Sequence, residues 1–273
     1  MSINELKDRS TESVQLKTKR VIFGLIVPVL VLGAWELSVL QGRVSSVFFP
    51  PPSKLLELAV SLSADGIIWL HFFSTMSRLL PAFFFGATLG VILGLVLGSS
   101  QTARSLFEPS MLGIYSVPKI ALLPIFLAIF GVGESALIAL VATSVFFYVW
   151  IYTMAAVMRA PANLALTAQV FGATRPQIVR GVLFRAALPE TMVGVRVGIT
   201  VALLVCLTAE YILGSSGIGY LILGSRSLGQ HGQSYIGIIV AALTGLSLQW
   251  LIKKLDKIIN PWVIRNTYAG HNT

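Results

Sequence analysis

The sequence predicts an all-α membrane protein with six transmembrane helices and both termini in the cytoplasm. Hydrophobic residues make up 55% of the 273 residues and charged residues only 11%, and the mean hydropathy is +0.83. The apolar residues fall into six runs of about 20 residues, the length that an α-helix needs to cross a bilayer. Helices suit this solvent because they satisfy their own backbone polar groups. An even number of spans places both termini on one side.

The distribution of basic residues orients these spans. The runs are residues 21–40, 76–98, 112–130, 135–157, 192–213 and 235–252. They leave 14 of the 20 Lys and Arg residues on one side and 3 on the other, while Arg78, Lys119 and Arg196 lie in or beside a span. Because cytoplasmic loops carry the excess of Lys and Arg, the richer side is cytoplasmic. We therefore expect a cytoplasmic tail at 1–20, an external segment at 41–75, a core domain at 76–255 with a cytoplasmic loop at 159–190, and a second cytoplasmic tail at 256–273.

The first run and the external segment after it are predicted to be two separate helices. The run follows basic residues as a signal peptide would, but no A-x-A cleavage pattern follows it, which favours a retained helix. Pro50, Pro51 and Pro52 then indicate an extended stretch. Ser53 has the position of an N-cap, with Glu57 inside the helix that it begins.

The second run carries glycines at a strict spacing of four: Gly86, Gly90, Gly94 and Gly98. This spacing places them on one face of the helix, where another backbone can approach closely. We expect this helix to pack tightly against a neighbour.

The third run contains Pro118 and Pro124, each of which bends or ends a helix. Backbone breaks at membrane depth border protein or a water-filled path. Lys119 lies beside the first break, and it either reaches the cytoplasmic headgroups or lines such a path. Glu210, near the outer end of the fifth run, is a second candidate for a path or gate. Tyr220 lies in the glycine-rich segment 214–234, which is predicted to be a short gate-like or interfacial element.

The sequence offers no catalytic group and no metal site. The single cysteine, Cys206, lies in an apolar run, and the three histidines have no partner at i+3 or i+4. The net charge of +9 is explained by topology, so we expect no nucleic-acid partner. No G-x-x-x-x-G-K-[ST] segment is present, so the chain is not itself a P-loop ATPase.

The loop between the fourth and fifth runs contains the segment FGATRPQIVRGVLFRAALPE, residues 171–190. Gly172 ends a short helical run at 163–171, and Thr174 with Gln177 has the spacing of a capping box for a second helix. On that helix Ile178, Val179, Val182 and Leu183 share one arc and Arg180 faces elsewhere. The residues alone leave two interpretations open: an element that docks on a partner, or a basic loop that only fixes topology.

The same loop resembles the coupling loop of binding-protein-dependent ABC importer permeases, whose pattern is Glu-Ala-Ala, three residues, Gly, nine residues, Ile, one residue, Leu-Pro. Ala168 and Gly172 match this pattern, and Val182 replaces the isoleucine. The Glu-Ala positions hold Leu166 and Thr167, and 184–185 replace the first Leu-Pro. Other stretches, FFPPPSKLLE, VPKIALLPIFLAIFGVGE and AEYILGSSGIGYLI, resemble the nitrate, sulfonate and taurine branch, and the likeness covers most of residues 45–255.

The resemblance implies a type I ABC importer permease in the bacterial inner membrane that carries a small solute such as a sulfonate, taurine or nitrate. It implies as partners a second permease copy, a dimer of cytoplasmic ATPases that hold ATP and Mg, and an extracytoplasmic solute-binding protein. The residues that would contact the ATPase are Ala168, Gly172, Ala173, Thr174, Arg175, Gln177, Ile178, Arg180 and Val182. The alternative is an ion-coupled secondary transporter, which would need Glu36, Lys119 and Glu210 as membrane ionisable groups.

Overall fold

The computed structural model describes residues 26–262, and every regular element in that range is a helix. Residues 1–25 and 263–273, with the N-terminal tail and most of the C-terminal one, lie outside the described residues. The helices are α1 Ile26–Leu40, α2 Pro52–Ala64, α3 Ile67–Ser99, α4 Gln101–Tyr115, α5 Leu123–Phe130, α6 Glu134–Arg159, α7 Ala162–Val170, α8 Arg175–Leu213, α9 Ile218–Ser227 and α10 His231–Ile259.

The helices confirm the predicted all-α membrane fold. Four of them, α3, α6, α8 and α10, are long and apolar enough to cross a membrane, and α1 is a shorter apolar helix in the first predicted span. The third run is not one straight helix: α4 and the stretch Lys119–Phe130 meet at 92° and form a bent candidate span. The chain turns at Pro118, whereas Pro124 lies in the first turn of α5. A proline there breaks nothing, because that position has no helical acceptor for its missing N–H.

Two helix boundaries differ from the prediction. α3 begins at Ile67, inside the segment predicted to be external, after a turn at Gly66 with φ +76°. α8 runs unbroken from Arg175 to Leu213, so the predicted second helix of the loop is the first part of the fifth span. Pro189 lies inside α8 and does not end it. Membrane helices tolerate an internal proline when neighbouring groups satisfy the freed carbonyl.

The predicted cap of α2 at Ser53 is also wrong. The helix begins at Pro52, and its N-cap is Pro51, which has no side-chain cap. Ser53 instead donates to Glu36 of α1, from its hydroxyl over 2.7 Å and from its N–H over 3.1 Å. A carboxylate from another helix thus accepts from the orphan N–H that a local cap would have served.

The core is a layer of three helices in which α3 and α6 run parallel and α8 antiparallel to both. The glycine stripe of α3 lies on the backbone of α6. A methyl group at Gly90 would lie 2.8 Å from the carbonyl oxygen of Phe146, and one at Gly94 would lie 2.6 Å from Cβ of Thr153. On the other face of α6, Gly194 of α8 meets Tyr152. Contacts this close fix the three helices as one body.

Candidate functional site

The loop that is predicted to be cytoplasmic folds as a helical hairpin that closes at Gly172. This glycine has φ +81°, the left-handed conformation that ends helices. Its N–H donates to the carbonyl of Gln169 over 2.9 Å, and the N–H of Ala173 donates to that of Ala168 over 3.0 Å. The last carbonyls of α7 are thereby satisfied, and the chain turns directly into α8.

The start of α8 is fixed by the predicted pair Thr174 and Gln177. The side-chain oxygen of Gln177 accepts from the backbone N–H of Thr174 over 2.8 Å and from its hydroxyl over 2.9 Å. The reciprocal contact of a capping box satisfies an orphan donor at the helix start. Both arms of the hairpin therefore have defined ends.

The apolar arc of early α8 faces the protein itself. Ile178 is buried, Val182 is half-buried and Arg180 is exposed. Ile178, Val179 and Leu183 border a cavity of about 410 Å³ that is closed on the other side by Ser99 and by α7. The arc therefore faces α7 and the C-terminal end of α3.

The surface left for another protein lies mainly on α7. Leu166 is 60% exposed, Val170 86% and Phe171 85%; we call these three residues the α7 patch. Arg175 and Arg180, also exposed, lie just beyond the turn. Contiguous exposed apolar groups rimmed by charge mark interaction sites.

Glu210 lies at the opposite end of the same three helices, in a buried ion cluster. Its side chain is fully buried and pairs with Arg78 of α3 at 2.9 Å. Arg78 also pairs with Glu134 at the start of α6, at 2.7 Å. Thr75 of α3 donates its hydroxyl to Glu210 over 2.9 Å. Arg78 and Glu210 thus compensate each other's charge in an apolar region, as buried ions must.

The same cluster holds the turn between α8 and α9. Three successive backbone N–H groups point into it: that of Gly217 donates to Nδ1 of His71, that of Ile218 to the hydroxyl of Thr75, and that of Gly219 to Glu210. The distances are 3.1, 2.8 and 3.0 Å. These are orphan donors at the start of α9. The carboxylate of Glu210 thus serves as an anion at a helix N-terminus.

Sequence reasoning identified Glu210 but missed its partners. Arg78 and Glu210 are 132 residues apart. The other members come from three segments: His71 and Thr75 from α3, Glu134 from the start of α6 and Ser216 from the turn after α8. One signal was present: an arginine and a glutamate, each in an apolar run, need opposite charges, because an isolated ion is costly in the membrane. That rule predicts that Arg78 and Glu210 pair, but it does not predict which other residues they contact.

Lys119 is turned inward. Its ammonium donates to the carbonyls of Ile114, Tyr115 and Val117 over 2.8–3.0 Å and lies 4.6 Å from the ring centroid of Phe147. The lysine thus satisfies the free carbonyls at the end of α4, where a cation is favoured. Within this chain the ammonium of Lys119 is therefore bonded to backbone carbonyls close to it in sequence.

The remaining predicted positions lie apart from one another. Tyr220 is half-buried on α9 and stacks on His71 with ring centroids 5.9 Å apart. Pro124 lies in α5, beside a cavity of about 730 Å³ between α3, α5 and α6 that Phe126, Phe130 and Phe147 help to line. Within residues 26–262 no three His, Cys, Asp or Glu side chains come together as a metal site.

Comparison with known proteins agrees with this architecture. A family model described as a binding-protein-dependent transport system inner membrane component matches residues 86–265. The putative aliphatic sulfonates transport permease protein SsuC of Bacillus subtilis (strain 168) is 29% identical over 97% of each chain. The taurine transport system permease protein TauC of Escherichia coli (strain K12) is 28% identical over 84% of each. A chain of the MetNI methionine ABC transporter in an inward facing conformation has TM-score 0.62 and 19% identity, over 68% of this chain and 93% of its own, and shares the fold.

Proposed function

The chain belongs to the family of binding-protein-dependent transport system inner membrane components, and we propose that its α7–α8 hairpin docks on a separate cytoplasmic ATPase. The protein is a multi-pass inner membrane permease of the sulfonate and taurine importer type. The α7 patch is the observation that carries the proposal. Apolar side chains that are 60–86% exposed gain free energy when a partner covers them. The exposed arginines beside the patch favour an acidic surface on that partner.

Two permease copies would form the path, with two ATPase subunits beneath them and a solute-binding protein outside. ATP and Mg would bind the ATPase, since this chain lacks the phosphate-binding loop. The solute is a small anion or zwitterion such as an alkanesulfonate, taurine or nitrate. Nucleotide binding can shift the permease only if the ATPase pair prefers one of its conformations. The hairpin, capped at both of its ends, would transmit that preference.

The charges of the chain support a path that is neutral rather than cationic. The ammonium of Lys119 and the carboxylate of Glu210 are both engaged inside the protein. Selection of the solute would then rest with the binding protein. The same contacts disfavour ion-coupled secondary transport, because Glu36, its third candidate group, is bonded to Ser53.

The experiment changes the α7 patch and measures association with the ATPase. In Phe171→Asp we expect at least a tenfold weaker co-purification of the ATPase subunit and a loss of ATP-driven uptake in proteoliposomes, because a carboxylate would be buried unpaired. The variant should insert and melt like wild type, since the ring is 85% exposed. Leu228→Asp is the matched control, being 72% exposed at the far end of α9. Normal association of Phe171→Asp would contradict the proposal.

A further inference from the structure

The guanidinium of Arg78 joins three separate elements and has no free donor. Its Nε and Nη2 donate to the two oxygens of Glu134 over 2.9 and 2.7 Å. Its Nη1 donates to Glu210 over 2.9 Å and to the carbonyl of Ser216 over 2.8 Å, and Nη2 also reaches the Ser216 hydroxyl at 3.1 Å. All five N–H groups of an arginine are thereby used.

The two edges of this guanidinium have different environments. Glu210 is fully buried, and the edge that faces it is closed to water. Glu134 is 62% exposed, and water reaches its carboxylate. The exposed carboxylate of Glu134 can exchange Arg78 for water at a lower cost than the buried carboxylate of Glu210, because a buried ion that loses its partner is strongly destabilised. The Arg78 cluster can therefore open on the Glu134 side while its Glu210 side stays intact.

Glu134 lies at the N-terminal end of its helix, next to the turn that follows α5. It is the first residue of α6, and it follows a turn with Gly131 at φ +78°. Arg78 lies on α3, and Ser216 lies in the turn that precedes α9. If the Glu134 side chain turned into water, Arg78 would lose its bidentate partner, and only Glu210 and Ser216 would then position the guanidinium.

We propose that Arg78 is the positioning residue that holds the turn at 214–219 closed at the outer end of the path, and that Glu134 is the contact through which this hold is released. The proposal rests on the proposed function only in taking this end of the molecule as the mouth of a transport path. The same cluster requires a glycine at position 217, because φ is +117° there and a side chain would overlap the carboxylate of Glu210.

The chain carries its own reporter for this opening. Cys206, its only cysteine, is fully buried, with its sulfur 3.8 Å from the carboxylate of Glu210. We expect a small cationic methanethiosulfonate, added from outside to the full chain in proteoliposomes, to reach this thiol faster when the packing around Glu210 opens. Cys206→Ala gives the background.

The test is Glu134→Gln, which removes the charge and keeps the size. We expect its Cys206 to react about threefold faster or more than that of wild type, while the protein still folds, because Glu210 and Ser216 still bond the buried guanidinium. Asp256→Asn is the matched control: it removes one carboxylate from the Arg196–Asp256 pair of α8 and α10, which is bonded at 2.9 Å, and should not change the rate. Equal reaction rates in Glu134→Gln and wild type would overturn the proposal.

A second readout separates this proposal from the proposed function. In the complex with the ATPase, Glu134→Gln should raise ATP hydrolysis measured without the binding protein, and Asp256→Asn should not. Faster labelling with unchanged hydrolysis would support the role of Arg78 and would count instead against coupling through the α7–α8 hairpin.

Discussion

The close contact of α3 with α6 predicts that alanine has different effects on stability at two glycines, one inside this contact and one outside it. In Gly94→Ala the new methyl group would lie 2.6 Å from Cβ of Thr153 and 2.9 Å from the carbonyl oxygen of Trp150. Overpacking of this kind costs about 1–3 kcal/mol. Alanine recovers about 1 kcal/mol in a helix interior. The net loss of unfolding free energy is then about 0–2 kcal/mol.

Gly113 of α4 is the control, because nothing lies within 4 Å of a methyl group there. Gly113→Ala should therefore stabilise the protein by up to about 1 kcal/mol. The assay is reversible unfolding of the purified chain in mixed detergent micelles, with the free energy extrapolated to zero denaturant. The reasoning would be refuted if both alanine variants shifted the free energy of unfolding equally.

Three further predictions concern single contacts and use the same unfolding assay. Lys119→Gln removes an ammonium that three carbonyls accept from, and should cost about 1–3 kcal/mol; an unchanged stability would contradict the inward position of this side chain. Glu36→Ala should lower the free energy of unfolding by about 1 kcal/mol, because it removes the acceptor at the start of α2. Glu57→Ala, at an exposed position within α2, should lower it by about 0.5 kcal/mol or less. Arg159→Ala should cost about 1 kcal/mol at most, because its pair with Glu190 is 64% and 47% exposed; a larger loss would contradict the exposed position of this pair.

The membrane fold could be predicted because lipid imposes a length on every apolar run. The helix boundaries were predicted less well, because both polar and apolar residues can continue a helix beyond an apolar run. The start of α3 at Ile67 includes His71, whose ring is buried against the α8–α9 turn. The continuity of α8 across Pro189 depends on neighbours that satisfy its backbone. Both errors come from tertiary contacts that replace a local stop signal.

The two ends of the site differ in how far the sequence specified them. The hairpin at Gly172 follows from local rules: a glycine that adopts positive φ and a capping pair three residues apart. The Arg78 cluster follows from no local rule, since its members come from α3, α6, α8 and the turn after α8. None of the three residues of the α7 patch was among the predicted ATPase contacts. The prediction favoured early α8, whose apolar arc borders a cavity that it shares with α7 and Ser99.

The two ends are mechanically linked by α8. This helix spans 39 residues without a break, and Arg180 and Glu210 are separated along it by about 45 Å at 1.5 Å per residue. Its neighbours α3 and α6 touch backbone to backbone along the glycine stripe, so the three helices cannot slide past one another without overlap. A tilt that an ATPase imposed at the hairpin would therefore reach Glu210 through α8. The outer turn must follow, because its three leading N–H groups are bonded to α8 and α3.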